Sequence, residues 1–92
     1  MQAAERVAMQ EQALEAKVEK YEEVQKRIMA LKEDLTQNND RAIMEKNPDT
    51  RELAIAIGRK LHQEIGALKV IKEQLEDQIR GLGGDPSKYT IQ

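Results

Sequence analysis

Only one residue of the chain is of the type most often used for acid–base chemistry or metal binding near neutral pH, namely His62. In a helix, its neighbours three and four positions away would be Gly58, Arg59, Ile65 and Gly66. None of these can serve as a second metal ligand, and none is a carboxylate that could orient the imidazole. We therefore interpret His62 as an exposed or interface residue without a catalytic or metal-binding role.

Other residue types that carry enzyme chemistry are absent or lack a suitable pattern. The chain has no cysteine, so it has no thiolate nucleophile, no disulfide and no thiolate metal site. No glycine-rich phosphate loop follows a predicted strand, and the abundant acidic residues are not paired on an identifiable pocket wall. The sequence therefore predicts a protein that is not an enzyme and that binds neither a cofactor nor a metal.

Charge is a weak guide to the partner. The chain carries 15 Lys and Arg residues against 17 Asp and Glu, a net charge of −2, which does not favour nucleic acid or an anionic membrane. The most basic stretch has one acid, Glu64, among four basic residues: Arg59, Lys60, Lys69 and Lys72. These could contact an acidic partner or a phosphate backbone. A solvated helix face is the favoured interpretation, because no aromatic or loop element accompanies the charges.

The first element that must position these residues is indicated by a seven-residue apolar repeat. The repeat comprises Val7, Leu14, Tyr21, Ile28, Leu35 and Ala42. Residues 2–36 contain no glycine or proline, and we predict a first helix over residues 1–46. Residues 37–40 are Gln-Asn-Asn-Asp, whose side chains compete for backbone hydrogen bonds. A kink or restart at 37–40 and an unbroken helix are both open interpretations.

A second helix is predicted over residues 47–82. Asn47 is suited to cap its first turn, and Pro48 is suited to be its first residue. Gly81 and the pair Gly83-Gly84 are expected to end it.

Heptad positions fall at equal distances before and after Pro48, which is typical of a chain folded back on itself. The sequence therefore predicts an all-α fold, a long antiparallel two-helix coiled-coil hairpin in a single domain. The predicted register pairs residues whose numbers sum to 96, for example Tyr21 with Leu75, Leu35 with Leu61, Leu14 with Leu82, and Asn38 with Gly58.

The tail, residues 83–92, is expected to be either flexible or docked. Tyr89 and Ile91 alternate with polar residues, a pattern that favours an extended segment with one apolar edge. Residues 1–13 of the first helix have no counterpart in the second, and three interpretations are open: the tail covers them, a second subunit covers them, or they stay uncovered until a partner binds.

The second helix is apolar over more than one stripe, and a two-helix layer can bury only one face of each helix. The residues left over predict an interface at Leu53, Ile57, Val70 and Ile71. Gly58 and Gly66, inside the same helix, either are simply tolerated there or mark a close approach at a subunit or partner interface. Self-association into a dimer or larger helical bundle is the leading hypothesis, because an isolated hairpin buries little of its surface.

The function predicted from these observations is that of a non-catalytic interaction protein acting as an oligomeric adaptor, scaffold or assembly chaperone. The architecture is similar to that of many small assembly factors, secretion-type chaperones and viral scaffold or accessory proteins. We expect it to bind itself and another protein, not nucleic acid or a membrane. The alternative is a small regulator or inhibitor that docks on another macromolecule, either a protein or nucleic acid through the basic stretch. No signal-peptide pattern and no membrane span is found, so we expect a cytoplasmic protein, or an intracellular one that is packaged in a virion.

Overall fold

The computed structural model describes residues 2–91, with side chains described from Arg6 onward. Helix α1 spans Gln2–Met44, helix α2 spans Pro48–Gly81, and a short 3-10 helix spans Pro86–Tyr89. The two long helices pack against each other, and the described residues contain no strand. The predicted all-α helical hairpin is confirmed.

Contacts divide the chain into two compact units. The terminal unit is formed by Met1–Lys26 and Val70–Gln92, and the turn unit by Arg27–Lys69. Both long helices contribute to both units.

Helix α1 continues without interruption through residues 37–40. The side-chain amide of Asn38 donates a hydrogen bond to the carbonyl oxygen of Ala54 at 2.7 Å, so it is occupied across the helix pair and does not compete with its own backbone. The helix ends at Met44, two residues before the predicted boundary.

The chain reverses over three residues, 45–47, and the beginning of α2 follows the predicted cap. The side-chain oxygen of Asn47 accepts from the backbone N–H of Asp49 at 3.0 Å, and its carbonyl accepts from Arg51 N at 3.0 Å. Pro48 is the first helical residue. The Arg51 guanidinium also donates to the carbonyl of Glu45 at 2.8 Å, so one side chain ties the two ends of the turn together.

Helix α2 ends in a glycine motif. Gly83 has a φ of +85°, its N–H donates to Arg80 O at 3.0 Å, and Gly84 N–H donates to Ile79 O at 2.9 Å. This pair of bonds satisfies carbonyls that the last turn leaves free. A Cβ on Gly84 would lie 2.7 Å from Leu14 Cδ1, so the close approach of α1 also requires glycine here.

The core of the terminal unit is built around Tyr21. Tyr21 and Ile79 are fully buried, and Val24 and Leu75 of the same unit are also buried. The Tyr21 hydroxyl donates to Glu76 Oε2 at 2.8 Å. Glu76 directly follows Leu75, the residue predicted to face Tyr21.

The core of the turn unit contains Ile28, Leu31, Ala54 and Ile65. A Cβ on Gly58 would lie 3.3 Å from Asn38 Nδ2. The predicted pairing of Asn38 with Gly58 is confirmed, and the glycine permits the close approach of the two helices at this layer.

The tail is docked, and the expectation of an extended segment holds only after Tyr89, where Thr90 has extended backbone with φ −70° and ψ 125°. Residues 86–89 form a 3-10 helix capped by Asp85, whose side chain accepts from Ser87 N at 3.0 Å. Proline at the first helical position and this cap favour a turn over a strand. Pro86 is buried, and Tyr89 and Ile91 are partly buried.

Candidate protein interaction surfaces

The described residues contain no group of three or more His, Asp or Glu side chains placed to hold a metal ion. His62 is exposed. Every buried side-chain nitrogen or oxygen that the structure describes has a hydrogen-bond partner. The features that stand out on the described surface are therefore apolar side chains in contact with water.

An apolar groove in the turn unit brings together two of the residues predicted at an interface, Leu53 and Ile57. Leu53 is 61% exposed and Ile57 is 43% exposed. Met44, which is 80% exposed, lines the same groove of about 470 Å³. Three large apolar side chains thus line one concave surface that the chain itself leaves open.

The turn groove also has polar residues and both signs of charge in its lining. It is lined by Asp40, Arg41, Glu45, Asn38 and Thr50. Protein–protein interfaces commonly combine large apolar side chains with polar and charged ones.

Met44 was not among the residues predicted from the sequence. It follows the last heptad position of the first helix, and its neighbour Ile43 is 77% exposed. Two large apolar residues beside a polar turn, outside the heptad, are the signal that could have indicated this surface.

The predicted interface glycines differ in their surroundings. Gly58 is buried against Asn38, so packing within the chain accounts for it. Gly66 is exposed, and a Cβ added there would meet nothing within 4 Å. A contact of either glycine with a partner stays a prediction.

The other two predicted interface residues, Val70 and Ile71, belong to the terminal unit. Val70 is 54% exposed and Ile71 is 38% exposed. Helix α2 therefore also has exposed apolar side chains in the terminal unit.

The basic residues singled out in the sequence are largely accessible. Arg59, Lys60 and Lys69 are exposed, whereas Lys72 is partly buried. Among the described residues the one ion pair is Arg80 with Asp77, at 3.1 Å. None of the four predicted basic residues takes part in it.

A residue that sequence reasoning missed, Gln25, holds the tail in place. Its side chain is buried; its Nε2 donates to Tyr89 O at 3.0 Å and to Tyr21 O at 3.3 Å, and its Oε1 accepts from Ile91 N at 2.8 Å. The available signal is its spacing, because Gln25 lies four residues after Tyr21 and three before Ile28, on the apolar side of α1.

Two groups in the terminal unit have shifted pKa values. Burial raises the pKa of the Tyr21 phenol, a nearby Thr90 hydroxyl lowers it, and the Glu76 carboxylate raises it further. Hydrogen bonds from the hydroxyl and then the N–H of Ser87 lower the pKa of the exposed Asp85 carboxyl. Both groups belong to the packing and capping of the tail.

Within residues 2–91, neither long helix contains a segment apolar enough to cross a bilayer. No protein-family model matches this chain, and no curated protein or solved structure shows significant similarity to it.

Proposed function

We propose that this protein is a non-catalytic helical hairpin that associates with itself through the turn groove and acts as an adaptor, scaffold or assembly chaperone. The observation that supports the proposal is the exposure of Leu53, Ile57 and Met44 around one groove. Contiguous apolar surface on a small protein commonly marks an interaction site.

Burial of these apolar side chains against a partner would contribute substantially to the free energy of association. Burying a Leu, Ile or Met side chain fully contributes about 1.5–3 kcal/mol relative to leaving it exposed. Leu53 and Met44 retain most of their accessible surface, so a partner that covers them recovers most of that contribution. Two copies meeting around a two-fold axis would bury both grooves at once, which doubles the apolar contribution for a single loss of translational freedom.

Paired substitutions test this proposal. Leu53→Gln with Ile57→Gln removes apolar surface while retaining helix propensity, because glutamine is a good helix former. We expect the wild type to elute as an oligomer in size-exclusion chromatography with light scattering, and the double variant to have the mass of one chain. Helix content measured by circular dichroism should not change.

The matched control is Val7→Gln with Met9→Gln, which removes two exposed apolar side chains from α1 in the terminal unit. This pair should leave the mass unchanged. Equal loss of mass in both double variants would contradict the assignment to the turn groove.

A second candidate function is that of a small regulator that docks on an acidic macromolecule. The observation that favours it is the exposure of Arg59, Lys60 and Lys69 without an intrachain acidic partner among the described residues. If the macromolecule is nucleic acid, binding should weaken steeply with salt. A fluorescent duplex oligonucleotide that fails to bind at low salt would remove that version.

A further inference from the structure

A different apolar groove lies in the terminal unit, where the docked tail meets α1. Leu14, Val18 and Tyr89 form its apolar lining. Its volume is about 420 Å³, and the rest of its lining consists of four carboxylates: Glu11, Glu15, Glu19 and Glu22. No lysine or arginine is among the described residues that line it.

Three of the four carboxylates on this rim have no basic residue three or four positions away, and the fourth, Glu22, has Lys26 four positions later. At three and four positions from Glu11, Glu15 and Glu19, every charged residue is another glutamate. Like charges at this spacing destabilise a helix. None of these side chains takes part in the single ion pair that the described residues contain. The chain therefore carries a repulsion on this rim that a cationic ligand would relieve.

The apolar wall of the groove is held in a defined position. The Gln25 side chain donates to the carbonyl of Tyr89 at 3.0 Å, so the ring of Tyr89 is carried by an anchored backbone. Tyr89 remains partly exposed, as do Leu14 and Val18. This apolar lining is thus accessible to apolar side chains of a partner.

We propose that this acidic groove binds a cationic amphipathic helix of another protein. An apolar channel along a helix accepts the apolar face of a partner helix, whose residues at helical spacing insert between the walls. Lysine and arginine side chains at the edges of that face would meet Glu15 and Glu19. The expected partner is therefore a helix with one apolar face and basic residues along the edges of that face. This binding is separate from self-association through the turn groove.

The probe for this proposal is a synthetic 18-residue peptide of leucine and lysine, labelled with a fluorophore, whose leucines fall on one helical face. Binding is measured by fluorescence anisotropy with the full chain at fixed salt. We expect Glu15→Gln with Glu19→Gln to weaken binding by about 2- to 30-fold, the combined effect of two exposed ion pairs. Val18→Gln should weaken it by about 3- to 10-fold through loss of apolar contact.

The matched control is Glu33→Gln with Glu64→Gln, which makes the same change in net charge at exposed positions outside the groove. Affinity in this control should change by less than about twofold, because screening weakens the effect of distant surface charges. A peptide of the same composition in scrambled order, with no apolar face, should bind more weakly than the amphipathic one.

Four results would overturn the proposal. These are equal losses of affinity in the two double variants, equal binding of the scrambled peptide, absence of binding at low salt, and a change in the protein's own oligomeric mass caused by Glu15→Gln with Glu19→Gln. The last result would assign the rim to contact between copies of this chain. Because these variants leave Leu53 and Ile57 untouched, the outcome is independent of the test of self-association.

Discussion

The amide of Gln25 is a single buried group that serves two backbone partners in the tail. It accepts from Ile91 N and donates to Tyr89 O, residues that lie 66 and 64 positions away. Buried amides of this kind stabilise a structure mainly because removing them leaves their partners unsatisfied. Docking of the tail onto α1 should therefore depend on this side chain.

The variant Gln25→Ala tests that dependence. We expect the free energy of unfolding in urea to fall by about 1–3 kcal/mol, the usual effect of leaving buried backbone groups without partners. Trypsin should also cleave faster after Lys88, which lies in the 3-10 helix of the tail. Gln12, which is exposed on α1, supplies the control variant Gln12→Ala. Unchanged cleavage at Lys88 in Gln25→Ala would contradict the role assigned to the amide.

Ionisation of the Tyr21 phenol is expected to destabilise the folded protein at alkaline pH. Burial raises its pKa above the ordinary value of about 10. A raised pKa means that the folded state holds its proton more tightly. The contribution is therefore complete below the unfolded pKa and is lost as the pH rises through the folded pKa.

Thermal unfolding followed between pH 8 and pH 11 measures this effect. The melting temperature of the wild type should fall more steeply above about pH 10 than that of Tyr21→Phe, which has no phenol to ionise. Tyr89→Phe controls for the other tyrosine. Parallel pH profiles for the wild type and Tyr21→Phe would exclude the proposed linkage.

At the scale of elements, the end of α2 depends on glycine for two separate reasons. Gly83 adopts a positive φ, whereas Gly84 lacks room for any side chain, since a Cβ would lie 2.8 Å from Ile79 Cγ2 and 3.3 Å from Ile79 O. Gly66, in the middle of the same helix, has open space around it. The same substitution should therefore have opposite effects at the two positions.

Gly84→Ala should lower the free energy of unfolding by about 1–3 kcal/mol because Leu14 and the backbone of Ile79 must move. Gly66→Ala should raise it by up to about 1 kcal/mol, since alanine is the better helix former. Urea denaturation of both variants measures the difference. Destabilisation by Gly66→Ala would indicate that this glycine contacts a second molecule.

The elements themselves were predictable because their signals are local. Asn47 and Pro48 begin α2, and Gly83 ends it, through interactions within a few residues of the chain. The heptad repeat also predicted the register at the layer where Asn38 contacts Gly58. Two of the apolar residues in the turn groove, Leu53 and Ile57, were also predicted. The choice between a flexible and a docked tail, and the groove beside Tyr89, were not predictable because they depend on contacts such as Gln25 with Tyr89, which join residues distant in sequence.

At the scale of the whole molecule, the two grooves differ in chemistry. The charged residues that line the turn groove are of both signs, whereas those that line the groove beside Tyr89 are all glutamates. A lining of mixed charge is compatible with a second copy of the same chain, whereas a uniformly acidic lining favours a basic partner surface. We propose that self-association and binding of a client therefore use separate surfaces, as an adaptor requires.

Sedimentation equilibrium of the wild-type chain at micromolar concentrations tests whether the protein associates with itself. We expect a mass that rises with concentration toward at least twice the 10.5 kDa of one chain. A well-folded species that keeps the mass of a single chain over the whole concentration range would contradict it.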